Sequence, residues 1–217
     1  ITSIETDAWG KLWVAVFSRG LYHLDVDQWK AKQIGSPIND LVITDILVDQ
    51  FTKDKIWLLT TDGVHLIQNK TVKKILPQLK MRCMAIEQDH KGNIWIATNK
   101  GAYLVSENRV IHFNSQNGFT DDVVNEIYRD VEDNIWLGTD GSGIYKFNDD
   151  YVTFDESQGL NGKIVMTIAK GPRPGEIWMG SYSGISVYRN KKVTKIAMPS
   201  MNEISSHINF LYTDRKK

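Results

Sequence analysis

One stretch recurs through the chain, and its period constrains everything else. Asp89-His90-Lys91-Gly92-Asn93-Ile94-Trp95-Ile96-Ala97-Thr98 has counterparts centred on Trp13, Trp57, Trp136 and Trp178, so successive tryptophans are 44, 38, 41 and 42 residues apart. A unit of that length cannot bury a hydrophobic face alone and must stack on its neighbours. The 217 residues are therefore counted in repeats: about 1–41, 42–80, 81–122, 123–163, 164–207 and the start of another at 208–217.

Within each repeat the order of residue types is the same. First comes a short apolar-x-x-apolar-x-x-Asp segment: Ile1/Ile4/Asp7, Ile43/Ile46/Asp49, Cys83/Ile86/Asp89, Val124/Ile127/Asp130, Val165/Ile168/Gly171 and Ile208/Leu211/Asp214. A spacing of three is ambiguous between helix and strand, but shortness and β-branched residues favour a strand. The Asp is expected to fold back onto the amides of the turn that follows. The tryptophan strand is next. Trp and the residue two further on (Ala15, Leu59, Ala97, Gly138, Gly180) share one face, and apolar residues, Ile, Leu, Val14 or Met179, occupy the other. Apolar on both faces, such a strand is covered on both sides. Trp13, Trp57, Trp95, Trp136 and Trp178 are thus expected to fill the gap between stacked sheets, where a small neighbour lets the next sheet approach.

A polar loop closed by Gly20, Gly63, Gly101, Gly143 or Gly184 leads to a third strand, and a Lys-rich fourth strand suits an exposed edge. Four antiparallel strands per repeat without helices form the blade of a β-propeller, an all-β fold. The expectation is five complete blades plus the first strand of a sixth. Both ends read as lying inside a repeat, as in a segment of a longer polypeptide.

Gly92-Asn93-Ile94-Trp95-Ile96-Ala97-Thr98 and Asp133-Asn134-Ile135-Trp136-Leu137-Gly138-Thr139-Asp140-Gly141-Ser142-Gly143-Ile144-Tyr145 resemble the two-component regulator propeller repeat, and Asn117-Gly118-Phe119-Thr120-Asp121-Asp122-Val123-Val124 is similar to its inter-repeat linker. The second repeat departs from the pattern at Phe51-Thr52-Lys53-Asp54-Lys55, and the fifth at Gly171-Pro172-Arg173-Pro174-Gly175, both within the turn. The resemblance implies a seven-bladed ring in the periplasmic sensor region of a bacterial hybrid histidine kinase or related receptor. It also implies a carbohydrate fragment as ligand, further blades and signalling domains in the parent chain, and a homodimer in the full receptor. A closed five-bladed ring is the rival arrangement.

Composition closes off other classes. Lys plus Arg equals Asp plus Glu at 26 each, so no global field recruits nucleic acid. No apolar run is long enough to span a membrane, and lone Cys83 rules out an internal disulfide or a Cys-based zinc cage. The five His are scattered, Gly180-Ser181-Tyr182-Ser183-Gly184 has Tyr where a nucleophile elbow needs Ser, and Gly138-Thr139-Asp140-Gly141-Ser142-Gly143 lacks the Lys of a phosphate loop. Neither catalytic residues, nor a metal, nor a cofactor are expected. The paired carboxylates Glu132-Asp133, Asp121-Asp122 and Asp149-Asp150 are read as solvated turn or loop residues.

Binding residues are expected where loops vary on a rigid scaffold. In a four-stranded blade, the second-to-third loop and the loop into the next repeat share one end. Those loops supply the candidate ligand set: Arg19, Arg82, Asn99, Lys100, Asp121, Asp140, Tyr182 and His207. Their mixture of charge, amide and aromatic groups suits a polyhydroxylated or anionic sugar. The competing functions are a passive interaction or dimerisation scaffold and, more distantly, a metal-dependent lyase of the streptogramin type.

Overall fold

The computed structural model describes residues 1–35, 38, 41–69, 71–77, 79, 81–107, 109–119, 123–148, 150–197 and 207–213. The chain falls into two compact units, 1–96 and 97–217. In the first unit, β1 (Ser3–Thr6), β2 (Leu12–Val16), β3 (Gly20–Asp25) and β4 (Lys30–Gln33) form one sheet. A second contains β5 (Ile43–Val48), β6 (Lys55–Thr60), β7 (Gly63–Gln68) and β8 (Thr71–Ile75). The third sheet begins with β9 (Cys83–Gln88) and β10 (Ile94–Thr98) and is completed by β11 (Gly101–Val105) and β12 (Val110–Phe113). The fourth holds β13 (Val124–Arg129), β14 (Ile135–Thr139), β15 (Ile144–Asn148) and β16 (Asp150–Phe154). The fifth holds β17 (Val165–Lys170), β18 (Ile177–Ser181), β19 (Gly184–Arg189) and β20 (Lys192–Lys195). Every sheet runs in chain order, which is the β-propeller blade five times over. Asp150 opens β16 and so belongs to a strand, not to a loop.

In the second, fourth and fifth blades the spacing of three in the first strand is the signature of a β-bulge. Ile43 stands opposite Thr60 and Asp45 opposite Leu59, so Thr44 is the extra residue. The same register shift falls between Val124 and Glu126 and between Val165 and Thr167. One inserted residue reverses the alternation, so apolar residues three apart land on one face. Ile43 and Ile46 accordingly meet in one cluster with Ala15, Leu21, Ile56 and Leu58, against which Trp13 packs.

That cluster fixes the stacking rule: the Trp face of one blade meets the Ile/Leu face of the next. In the second unit Trp136 packs with Ile168, Ile177, Met179 and Tyr188 of the fifth blade. A Cβ on Gly138 would lie 2.9 Å from Val165 Cγ1, and one on Gly180 would lie 2.6 Å from Ile208 Cγ2, so both positions require the missing side chain. Trp57, Trp95 and Trp136 are buried. Trp13 and Trp178 are only half-buried, short of the full burial expected of all five.

The first strand expected for a sixth repeat belongs to no sheet over residues 207–213, and 214–217 lie outside the described residues. Its seat nevertheless follows the repeat. The Leu211 N–H donates to Thr167 Oγ1 (3.3 Å) and the Ile208 N–H to the Ser181 carbonyl (3.0 Å). In the first unit, the Ile86 N–H meets Asp45 Oδ2 (3.2 Å) at the equivalent positions. The segment therefore sits against the fifth blade through the same kind of contact that β9 makes with the second.

Candidate functional site

What positions the loops is a pair of hydrogen-bonded anchors, one at each end of the tryptophan strand. At the turn end, the carboxylate following the first strand does two jobs. Asp130 Oδ1 accepts the amides of Glu132 (3.0 Å) and Asn134 (2.8 Å), while Oδ2 accepts Trp136 Nε1–H (2.8 Å). Asp49 and Asp89 bind their turns and the indoles of Trp57 (3.1 Å) and Trp95 (3.3 Å) in the same way. In the fifth blade Gly171 has no carboxylate to offer. Glu176, two residues before the indole, takes the role and accepts Trp178 Nε1–H at 2.5 Å. The turn-capping Asp was legible in the sequence; its bond to the indole, and the substitution by Glu176, were not.

At the opposite end, a hydroxyl closes the second-to-third loop. Thr60, Thr98, Thr139 and Ser181 donate to the carbonyls of Gly63 (2.9 Å), Gly101 (2.8 Å), Gly143 (2.9 Å) and Gly184 (3.0 Å). The same oxygens accept loop amides from Asp62, Lys100, Ser142 and Ser183. The loop backbone is thereby held, and only its side chains vary.

In the second blade these loops enclose an open cleft of about 680 Å³. Thr61 and Asp62 come from the second-to-third loop, Leu79, Met81 and Arg82 from the connection to the next blade, and Lys74 from the edge strand. Lys74 pairs with Asp62 at 2.8 Å, and its hydrogen bond and charge hold that carboxyl below the usual carboxylate range. Arg82 is exposed and has no ion-pair partner among the described residues. Thr44, pushed out of register by the bulge, contributes a buried Oγ1 with no hydrogen-bond partner among the described residues. Nothing here is set for nucleophilic attack. Burial pushes the Cys83 thiol up to about 11, and burial likewise lowers His65, whose Nδ1 lies 3.3 Å from Thr60 Oγ1. The cleft offers a free guanidinium, an ammonium–carboxylate pair and hydroxyls, which is equipment for holding a polar ligand in place.

Of the other candidate residues, Tyr182 and His207 are brought together, their rings stacked 4.3 Å apart. Arg19, Asn99, Lys100 and Asp140 are exposed on their own loops and reach none of these groups. Asp121 lies outside the described residues, as does Asp122 beside it. Thr44 and Lys74 were missed. Lys74 sits on an edge strand whose lysines look like solubilising charge, and Thr44 enters only through the bulge. Among the described residues, no group of three or more His, Cys, Asp or Glu is placed to hold a metal ion, and no helix is long and apolar enough to cross a membrane.

Residues 76–100 match the family described as two component regulator propeller. Among solved structures, the chain is similar to the extracellular domain of BT3049 from B. thetaiotaomicron, assigned to a hybrid two component system. The TM-score is 0.76 at 26% identity, covering 89% of this chain and 28% of that one. The extracellular domain of B. thetaiotaomicron BT4673, assigned to a one component system, matches at TM-score 0.58 and 19% identity over 99% of this chain and 32% of that one. Virginiamycin B lyase from Staphylococcus aureus matches at TM-score 0.74 and 15% identity, over 93% of this chain and 71% of its own, a likeness of fold alone. No curated protein matches the sequence. The chain thus spans about a third or less of these two extracellular domains.

Proposed function

We propose that the chain is part of the ligand-sensing input region of an extracytoplasmic, periplasmic receptor in a bacterial two-component system, that it is not catalytic, and that its ligand is a carbohydrate fragment. The observation that carries this reading is the second-blade cleft. Arg82 and the Thr44 hydroxyl, neither with a partner among the described residues, stand beside the Asp62–Lys74 pair, on loops held by hydroxyl anchors. Each of these groups favours a ligand rich in hydroxyl or carboxylate oxygens over an apolar one. The match at residues 76–100 and the likeness to the BT3049 extracellular domain support the receptor setting. The lyase likeness is one of fold, and the groups in this cleft suit retention of a ligand, not its breakdown.

Signalling follows from differential affinity. A ligand bridging the second-to-third loop and the inter-blade connection favours whichever receptor arrangement holds those loops closest, and it shifts the population accordingly. Calorimetric titration of the chain with a panel of saccharide fragments, neutral and acidic, tests the reading. A saturable heat with at least one fragment, reduced at least about tenfold by Arg82→Gln, is the expected result. Absence of heat across the panel, or heat that is indifferent to that substitution for every fragment that binds, contradicts it.

A further inference from the structure

A second cleft lies at the opposite end of the strands, where the turns of the first two blades meet. It holds about 430 Å³ and is lined by Trp9, Trp13 and His23 from the first blade and by Lys53, Asp54 and Lys55 from the second. Three departures from the repeat coincide there. Trp9 is 58% exposed, a flat indole face beside the cleft mouth with only the Lys53 ammonium over it, 5.2 Å from the ring centroid. Trp13 breaks the indole rule: the other four repeat indoles donate to a carboxylate. In the first blade, His23 Nε2 sits 3.0 Å from Asp7 Oδ2 and the imidazole stacks on Trp13 at 4.3 Å, so the Trp13 N–H has no hydrogen-bond partner among the described residues. Finally, Lys11 pairs with Asp25 and Lys55 with Asp49, both at 3.1 Å, whereas Lys53 has no carboxylate partner among the described residues.

We propose that this cleft binds an acidic saccharide: a pyranose ring lying on Trp9, with an oxygen accepting the Trp13 N–H and a carboxylate meeting Lys53. An apolar ligand would bury a free indole N–H and an ammonium without partners, which costs more than the contact returns. A neutral sugar satisfies the indole but leaves the ammonium unanswered. A carboxylate draws Lys53 away from the Trp9 face, because an exposed cation–π contact is weaker than a charge-assisted hydrogen bond. The vacated ring is then free for the C–H face of the sugar. The site is separate from the Arg82 cleft, and the failure of either leaves the other standing.

The test uses digalacturonic acid and neutral galactobiose, which differ in their C6 carboxylates, titrated into the whole chain while indole Nε1–H signals are followed by NMR. Digalacturonic acid is expected to shift the Trp9 and Trp13 signals saturably, with galactobiose about tenfold weaker. Trp9→Ala removes binding, Trp13→Phe weakens it several-fold while keeping an aromatic ring, and Lys53→Gln brings the two affinities together. Trp29→Ala, at another exposed tryptophan outside the cleft, and Arg82→Gln both leave it unchanged. The proposal fails if neither signal shifts, if the unmodified chain binds both probes equally, or if binding survives Trp9→Ala. Loss of binding in Arg82→Gln would place the ligand at the other cleft and also overturn it.

Discussion

Replacing Asp130 by alanine isolates the carboxylate–indole anchor. The side chain accepts four donors: the Glu132 and Asn134 amides, Asn134 Nδ2 (2.7 Å) and Trp136 Nε1. Glu132 is exposed, so water replaces that bond at little cost. Asn134 and Trp136 are both 0% exposed, and Asn134 Nδ2 retains a long contact to Glu132 Oε2 (3.4 Å). Two buried donors are therefore left without an acceptor, the Asn134 N–H and the Trp136 N–H, at roughly 1–3 kcal/mol each. The expected loss is about 3–4 kcal/mol, read from the shift of the urea-unfolding midpoint at unchanged slope. Asp155→Ala serves as a comparison, because that carboxylate caps an exposed turn through the Ser157 amide (2.7 Å) and its loss costs about 1 kcal/mol or less. A double-mutant cycle with Trp136→Phe, which removes the N–H but keeps a ring, is expected to show a coupling of about 1–2 kcal/mol. A coupling near zero would refute the reasoning, since the carboxylate would then act on the turn alone.

Three further outcomes follow from particular contacts. In Gly180→Ala the new methyl would meet Ile208 Cγ2 at 2.6 Å and Thr167 Cγ2 at 2.7 Å, so the Ile208 and Leu211 amides should lose at least about tenfold in hydrogen-exchange protection; unchanged protection means the segment 207–213 is not seated there. Burial, reinforced by Asp45, raises the Glu5 carboxyl to about 7, and burial raises Asp45 to about 6. Both lie above their unfolded values, so the stability they contribute is full below about pH 4 and is lost as pH rises through their folded values. The unit 1–96 should be more stable near pH 5 than near pH 8 by about 1–3 kcal/mol, with a flatter profile in Asp45→Asn; identical profiles would remove burial as the cause. The Cys83 thiol, buried and raised to about 11, should resist a thiol reagent at neutral pH until the chain is unfolded in urea, and prompt labelling of the native chain would contradict its placement.

Strand order and blade type could be read from the tryptophan period because stacking demands a repeating pattern of faces, and the same pattern identified which face of each tryptophan strand meets its neighbour. The Ile43/Ile46 spacing looked indecisive only because period two and period 3.6 are not the sole alternatives; an inserted Thr44 explains it through a bulge. The fifth blade looked deficient at Gly171, yet Glu176, just ahead of β18, reaches the Trp178 indole from two residues before it, a compensation that depends on geometry and not on aligned position. In the second blade the two kinds of candidate loop meet at one cleft. Which side chains gather there was not legible, since Arg82 meets Lys74 and Thr44 only through the packing of an edge strand and a bulge. The Trp9 cleft was hidden for a similar reason: His23 displaces Trp13 from Asp7 across the sheet, a swap with no trace in residue spacing.

The most direct test of ligand sensing is a residue-resolved NMR titration of the chain with the saccharide that gives heat. The account predicts saturable shifts in the Arg82 Nε–H and in the amides of Thr61, Asp62, Gly63 and Met81, all lost together in Arg82→Gln. Saturable binding that leaves those signals unmoved, with shifts confined to other loops, would contradict it.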